Sequence, residues 1–326
     1  MEDSSKILRR SVHCFLQNYH YFTSTVVFLV LPFSVSLLLS QALVPSPSSL
    51  LPQVYNRLKD LFDAAGFPPS ELFTILNLKV SQTITSSIFT LPFTFTFLLI
   101  AKASIIITLN QHKRTLLPPS FGSIFSLYKP LLQTYICNCF LILSANASSF
   151  CLLFLAFSCV EGLGYSSPSF ILFLSTSGAI LFSVILANAL VICNMALALS
   201  GMEGHGGCLA ILKACVMIRE KTSMALFLAL PGNVALAAVE ALFQFRIVRA
   251  YHIAEKARPY LALEGIFIAY LYSIFVIIDT IVSCMFYKSF KTGSSVDQEC
   301  KHLFIEFQEE DNNYGYIKNK NFEELP

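Results

Sequence analysis

From Pro130 to Met202 the chain carries one charged side chain, Glu161. A hydrocarbon layer about 30 Å thick is crossed by roughly 20 apolar residues rising about 1.5 Å each. The charge-free runs on either side of Glu161 therefore read as two membrane-spanning helices, with Glu161-Gly-Leu-Gly-Tyr-Ser-Ser-Pro168 as the turn between them. A fold in water needs a further layer of chain to cover two such cylinders, and nothing in the remaining sequence is large enough. The composition points the same way: 55% of residues are hydrophobic and 13% charged, about half the charged share of soluble domains.

The other residues exclude more than they specify. A net charge of +2 argues against a nucleic-acid partner. His13, His20, His112, His205, His252 and His302 lie in different segments without paired-ligand spacing, so neither a metal nor a cofactor is expected. Glu203, His205 and Cys208 in the loop from Gly201 to Gly207 also fall short of a zinc pattern. Of ten cysteines, Cys137, Cys139, Cys151, Cys159, Cys193 and Cys284 sit in apolar runs and read as small hydrophobes with free thiols. Cys14, Cys208 and Cys215 fall near the expected bilayer surface, where acylation is the rival of an unmodified thiol.

Residues 1–20 form a basic N-terminus with Lys6, Arg9 and Arg10, which holds that end in the cytosol. The following run exceeds a signal peptide's apolar core, so the cleavage-like Ser40-Gln41-Ala42 is set aside and the run kept as the first span. The expected transmembrane domain covers 21–290, with spans at 21–44, 81–109, 130–160, 169–199, 222–245 and 261–287. After the Pro45–Ser49 stop, Leu51, Val54, Tyr55, Leu58, Leu61 and Phe62 share one helical face, as in a helix lying in the interface or against the bundle. Gly66, Pro68 and Pro69 end it, and Ser70 with Glu71 marks a new helix start. Pro118-Pro119-Ser120 punctuates the loop before the third span.

Residues 222–245 hold Pro231-Gly232-Asn233 and Glu240 and are open to two readings, a crossing and a re-entrant hairpin. The Lys and Arg counts of the two differ by one and do not separate them. Six crossings are the better expectation, because irregular backbone in lipid needs a protein lining. Residues 291–326 are read as a disordered acidic tail, in which Tyr314-Gly-Tyr-Ile317 matches a short sorting pattern.

Leu31-Pro32-Phe33 and Leu91-Pro92-Phe93 are each followed by alternating hydroxyl residues, and Leu230-Pro231 recurs later. Proline removes a backbone donor and kinks a helix, and a neighbouring Ser or Thr can satisfy the freed carbonyl in lipid. An acid in hydrocarbon is costly unless paired, so Asp279 needs a partner. Lys102, otherwise a snorkelling lysine, lies at the same depth, and a Lys102–Asp279 ion pair between the second and sixth helices is the candidate site. Glu240 and Glu264 are expected to be neutralised by Arg246, Arg249 or Arg258, and Asn138, Asn146, Asn188 and Asn194 to bridge the third and fourth helices. Asn146-Ala-Ser148 matches a glycan acceptor but lies mid-membrane, out of reach of glycosylation.

Lys6-Ile-Leu-Arg-Arg-Ser11 ahead of Leu31-Pro32, with Glu203, Gly207 and Ala210 preceding Lys213 to Lys221, resembles a family of plant multi-pass proteins with about six helices and no assigned activity. At the end of that loop the chain has Arg219-Glu220-Lys221 where the family pattern has Gly-Lys. The resemblance implies membrane residence and contributes no catalytic residues.

The expectation is an all-α bundle of six transmembrane helices with one interfacial amphipathic helix, in the endoplasmic reticulum or plasma membrane, with a cytosolic N-terminus. No Ser–His, paired-Asp or His-cluster arrangement is visible, so the reading is non-enzymatic: an organising or adaptor protein whose partners meet its cytosolic loops and tail. The alternative is a small transporter or channel built on the Pro-kinked helices and Asp279.

Overall fold

The computed structural model describes residues 2–43, 50–66, 71–110, 121–162, 168–220, 222–250 and 259–320. The punctuation at Pro45–Ser49, Pro68-Pro69 and Pro118–Ser120, the histidines His112 and His252, and Arg258 lie outside these residues. Among the described residues there is no strand. Six helices are long and apolar enough to cross a membrane: Tyr19–Ser40, Asn77–Asn110, Gly122–Val160, Leu172–Glu203, Thr222–Val248 and Tyr260–Thr292. The chain is an all-α multi-pass membrane protein, as its charge-free runs require.

The sixth span is the axis of the bundle. It packs against the first, second, fourth and fifth spans and contributes residues to all four buried clusters, from Ile268 at one end to Tyr287 at the other. Lipid tails are as apolar as leucine, so association between spans comes from close packing rather than escape from water. The contact surfaces accordingly carry small residues: Ala101, Ala103, Ala196, Ala214 and Ala269 are almost fully buried. The third span is the least buried of the six, and its outer half pairs with the fourth as a hairpin whose Phe140, Leu143, Leu155, Leu172 and Phe173 face outward.

The helices extend beyond the spans expected from hydropathy. The second starts at Glu71, and the third starts at Phe121 and runs unbroken through Pro130, where the Thr134 hydroxyl bonds the Pro130 carbonyl at 2.9 Å. The fifth is continuous through Pro231 from Thr222 to Phe243, then passes through a π-turn at Gln244–Val248, so it is a single rod and not a hairpin. Short helix Leu51–Ala64 folds back on the start of the second helix, where the Asn77 amide donates to the Tyr55 carbonyl at 3.4 Å.

Three findings depart from the sequence expectation. Residues Glu2–Gln17, expected only to supply charge, form an amphipathic helix. Its Ser4, Ile7, Ser11 and Phe15 recur at helical spacing and are buried against the fifth and sixth helices, while Lys6, Arg9, Arg10 and His13 face out. The last helix runs from Pro259 to Lys320, past the expected end of the sixth span at Tyr287. No proline falls between Pro259 and Pro326, and isolated glycines such as Gly293 and Gly315 cost about 1 kcal/mol each without stopping a helix.

Thirdly, hydroxyls near the Leu-Pro-Phe sequences do not take up the carbonyls that the prolines free, those of Phe28 and Ile88. Ser34 bonds the Val30 carbonyl and Thr94 the Thr90 carbonyl, each four residues back. The strain is taken up instead by π-turns at Val26–Val30 and Thr94–Leu98, where Leu31 and Leu99 N–H groups bond carbonyls five residues back. These two turns touch one another in the pair formed by the first and second spans.

Candidate functional site

Asp279 sits halfway along the buried face of the sixth span. Its Oδ2 accepts a hydrogen bond from the Asn194 amide of the fourth span at 3.3 Å. On the other side the fifth span comes close because Gly232, just after Pro231, has no side chain: a Cβ there would lie 3.0 Å from Asp279 Oδ1. Beside the carboxylate is a cavity of about 20 Å³ lined by Asn194, Ala229, Val282 and Ser283 among others. That volume holds about one water molecule.

Lys102 of the second span is brought to the same region of the core. The Asp279 carboxylate is the main charge acting on its ammonium, and the thiols of Cys193 and Cys284 lie near it. No direct salt bridge joins Lys102 and Asp279; the carboxylate's hydrogen-bond partner is Asn194, which therefore ties the fourth span to the sixth and not to the third. The bridge between the third and fourth helices is made by Asn138, whose amide donates to the Cys193 carbonyl at 3.0 Å. Asn188 is exposed on the fourth helix, and neither it nor Asn146 joins the two helices.

Asp279 belongs to a row of polar groups spaced along the whole sixth span, each tied to a neighbouring helix. Near one end Glu264 pairs with Arg246 at 2.7 Å, as the sequence reading expects. Two turns further on, Tyr272 donates to Glu240 at 3.1 Å, so Glu240 is satisfied by a hydroxyl and not by an arginine. Arg249 instead lies over the Phe245 ring, 5.6 Å from its centroid. At the other end Tyr287 donates to Glu203 at 2.7 Å, and Glu203 also pairs with Lys213. Each of the acids in these contacts, Glu264, Asp279, Glu240 and Glu203, has a hydrogen-bond or ion-pair partner.

Glu203 and its loop are the part that sequence spacing hid. Gly204 and Gly207 have φ of 72° and 84°, a left-handed conformation that favours glycine. The backbone of Gly206 presses on the third helix, where a Cβ would lie 2.2 Å from the Pro130 carbonyl oxygen, and Gly207 N–H donates to the Thr134 hydroxyl at 2.9 Å. Glu203, Gly207 and Ala210, on which the resemblance rests, thus build the turn that seats helix Cys208–Glu220 against the third and fourth spans. Among the described residues no group of three or more His, Cys, Asp and Glu side chains is arranged to hold a metal.

The family described as Domain of unknown function (DUF8558) matches residues 3–320 of the chain. No curated protein and no solved structure matches it.

Proposed function

Because the chain belongs to the DUF8558 family, which carries no assigned chemistry, its own geometry has to argue its role, and we propose that it is a non-enzymatic organising or adaptor protein of the membrane. The observation that supports this most directly is the small size of the cavity beside Asp279. Transport of a solute requires a cavity that admits it, whereas the space beside this carboxylate is about 20 Å³. Packed spans with a satisfied polar row make a rigid platform, and what remains to interact is its surface.

The surface at the end carrying the N-terminal helix fits that role. Lys6, Arg9, Arg10, Lys129, Lys213, Arg219, Lys288 and Lys291 gather there, contributed by four different helices. This concentration favours a cytosolic placement by the positive-inside rule, in the endoplasmic reticulum or plasma membrane. Protein partners would meet the N-terminal helix, the helix Cys208–Glu220 and the C-terminal extension there.

A second reading, a narrow proton or cation path, draws on the polar row of the sixth span and on Pro231-Gly232 beside Asp279. One experiment separates the two. Single cysteines are placed along the second and sixth spans of a variant without native cysteines, and aqueous maleimide labelling is measured in sealed vesicles. An adaptor leaves positions flanking Asp279 unreactive from both sides. Labelling of a continuous set of positions leading to Asp279 refutes the adaptor reading in favour of a path.

A further inference from the structure

Cys137 and Cys208 lie 71 residues apart in sequence, yet their sulfur atoms are 3.5 Å apart. Cys137 is on the third helix, one turn beyond Thr134; Cys208 opens the helix after the glycine turn and directly follows Gly207. The Gly207–Thr134 hydrogen bond and the contact of Gly206 with Pro130 therefore hold the two thiols face to face. Cys208 is exposed and Cys137 half-buried, in contrast to the enclosed Cys193 and Cys284. A disulfide bond is about 2.05 Å long, so closing the remaining gap takes rotation about the side-chain bonds and little movement of the helices.

We propose that Cys137 and Cys208 form a reversible, oxidant-driven disulfide that clamps the third helix to the start of the helix Cys208–Glu220. Hydrogen peroxide is a sufficient oxidant. One thiolate attacks a peroxide oxygen, the S–O bond forms as the O–O bond breaks, and the hydroxide released leaves as water after taking up the thiol proton. The second thiolate then attacks the sulfenic sulfur; the S–S bond forms, the S–O bond breaks and a second water departs with the second thiol proton. Two thiols have lost two electrons and two protons, and one peroxide has become two waters. A dithiol reductant reverses the link by exchange. The closed state fixes both ends of residues 137–208, which hold most of the outward hairpin, whereas the open state leaves the glycine turn held by hydrogen bonding and packing alone.

The test uses the full-length protein in its membrane, treated with hydrogen peroxide, blocked with maleimide and digested without reductant. The expected product is a peptide joining Cys137 to Cys208 that appears with peroxide and is lost with dithiothreitol, while maleimide labelling of both residues falls and recovers together. In Cys208→Ser the link is lost, and in Cys137→Ser likewise. Unchanged labelling of both residues after peroxide, or a link from either one to Cys139 or Cys215 in its place, overturns the assignment. Because the wild-type protein supplies the primary readout, a folding defect in either variant does not blur the result.

Discussion

Asp279→Asn is the most informative single change in this protein, because it removes a charge without removing a shape. The Asn194 amide can still donate to the new side-chain oxygen, and Gly232 still leaves room. What changes is the environment of Lys102, whose main opposing charge is Asp279. Two unit charges interact by about 4 kcal/mol at 4 Å with an effective dielectric constant near 20, and by about 3 kcal/mol at 6 Å. With no direct salt bridge between them, the smaller figure is the better guide, and Asp279→Asn should destabilise the bundle by about 2–3 kcal/mol. Lys102→Met alone should cost a similar amount, since it strands the acid. The double variant has no unpaired charge, so its loss should fall short of the sum by about 2–3 kcal/mol. Unfolding equilibria of the four proteins in bicelles measure this coupling. Strictly additive losses would refute the claim that the two charges sense one another through the core.

Other consequences are testable on the same material. Gly206→Ala should destabilise by about 3 kcal/mol because its Cβ meets the Pro130 backbone, whereas Gly201→Ala meets side-chain atoms of Ile106, chiefly its terminal Cδ1, and should cost less, about 1–2 kcal/mol; melting temperatures in detergent give the order. Glu203→Gln keeps an acceptor for Tyr287 and loses only the exposed pairing with Lys213, a change of about 0.5 kcal/mol, while Glu203→Ala leaves the buried Tyr287 hydroxyl unpartnered at about 1–3 kcal/mol. Burial pushes the Cys14 thiol up from its ordinary value of 9.0, and the Asn18 side chain opposes this. Its thiolate is therefore scarce at neutral pH: alkylation should lag behind an open cysteine at pH 8 and still be rising above pH 9, with Asn18→Ala moving the profile further up. A labelling midpoint at or below 9.0 contradicts that account.

Much of the architecture was legible in the amino-acid order, and the reason is solvent. In lipid every backbone donor and acceptor must be satisfied within its own segment, so a long run without charge has almost no choice but to be a helix. The runs around Glu161 and the six spans follow from that constraint, the amphipathic helix at Leu51–Ala64 follows from its periodicity, and Asp279 stood out as the acid needing a partner because hydrocarbon makes its charge costly. Local periodicity also held the N-terminal helix in the spacing of Ser4, Ile7, Ser11 and Phe15, with the basic residues between them on the outward face.

Which helix faces which was a different matter, because lipid gives one apolar face little preference over another and leaves the choice to close packing. Only the tertiary structure gave Asp279 to Asn194, Glu240 to Tyr272 and Glu203 to Lys213 and Tyr287, and only a glycine turn pressed against Pro130 brought Cys208 to Cys137. The membrane determined from sequence that this chain must be a set of helices. The shapes of alanine, glycine and proline at the crossings decided, in three dimensions, which polar groups would meet.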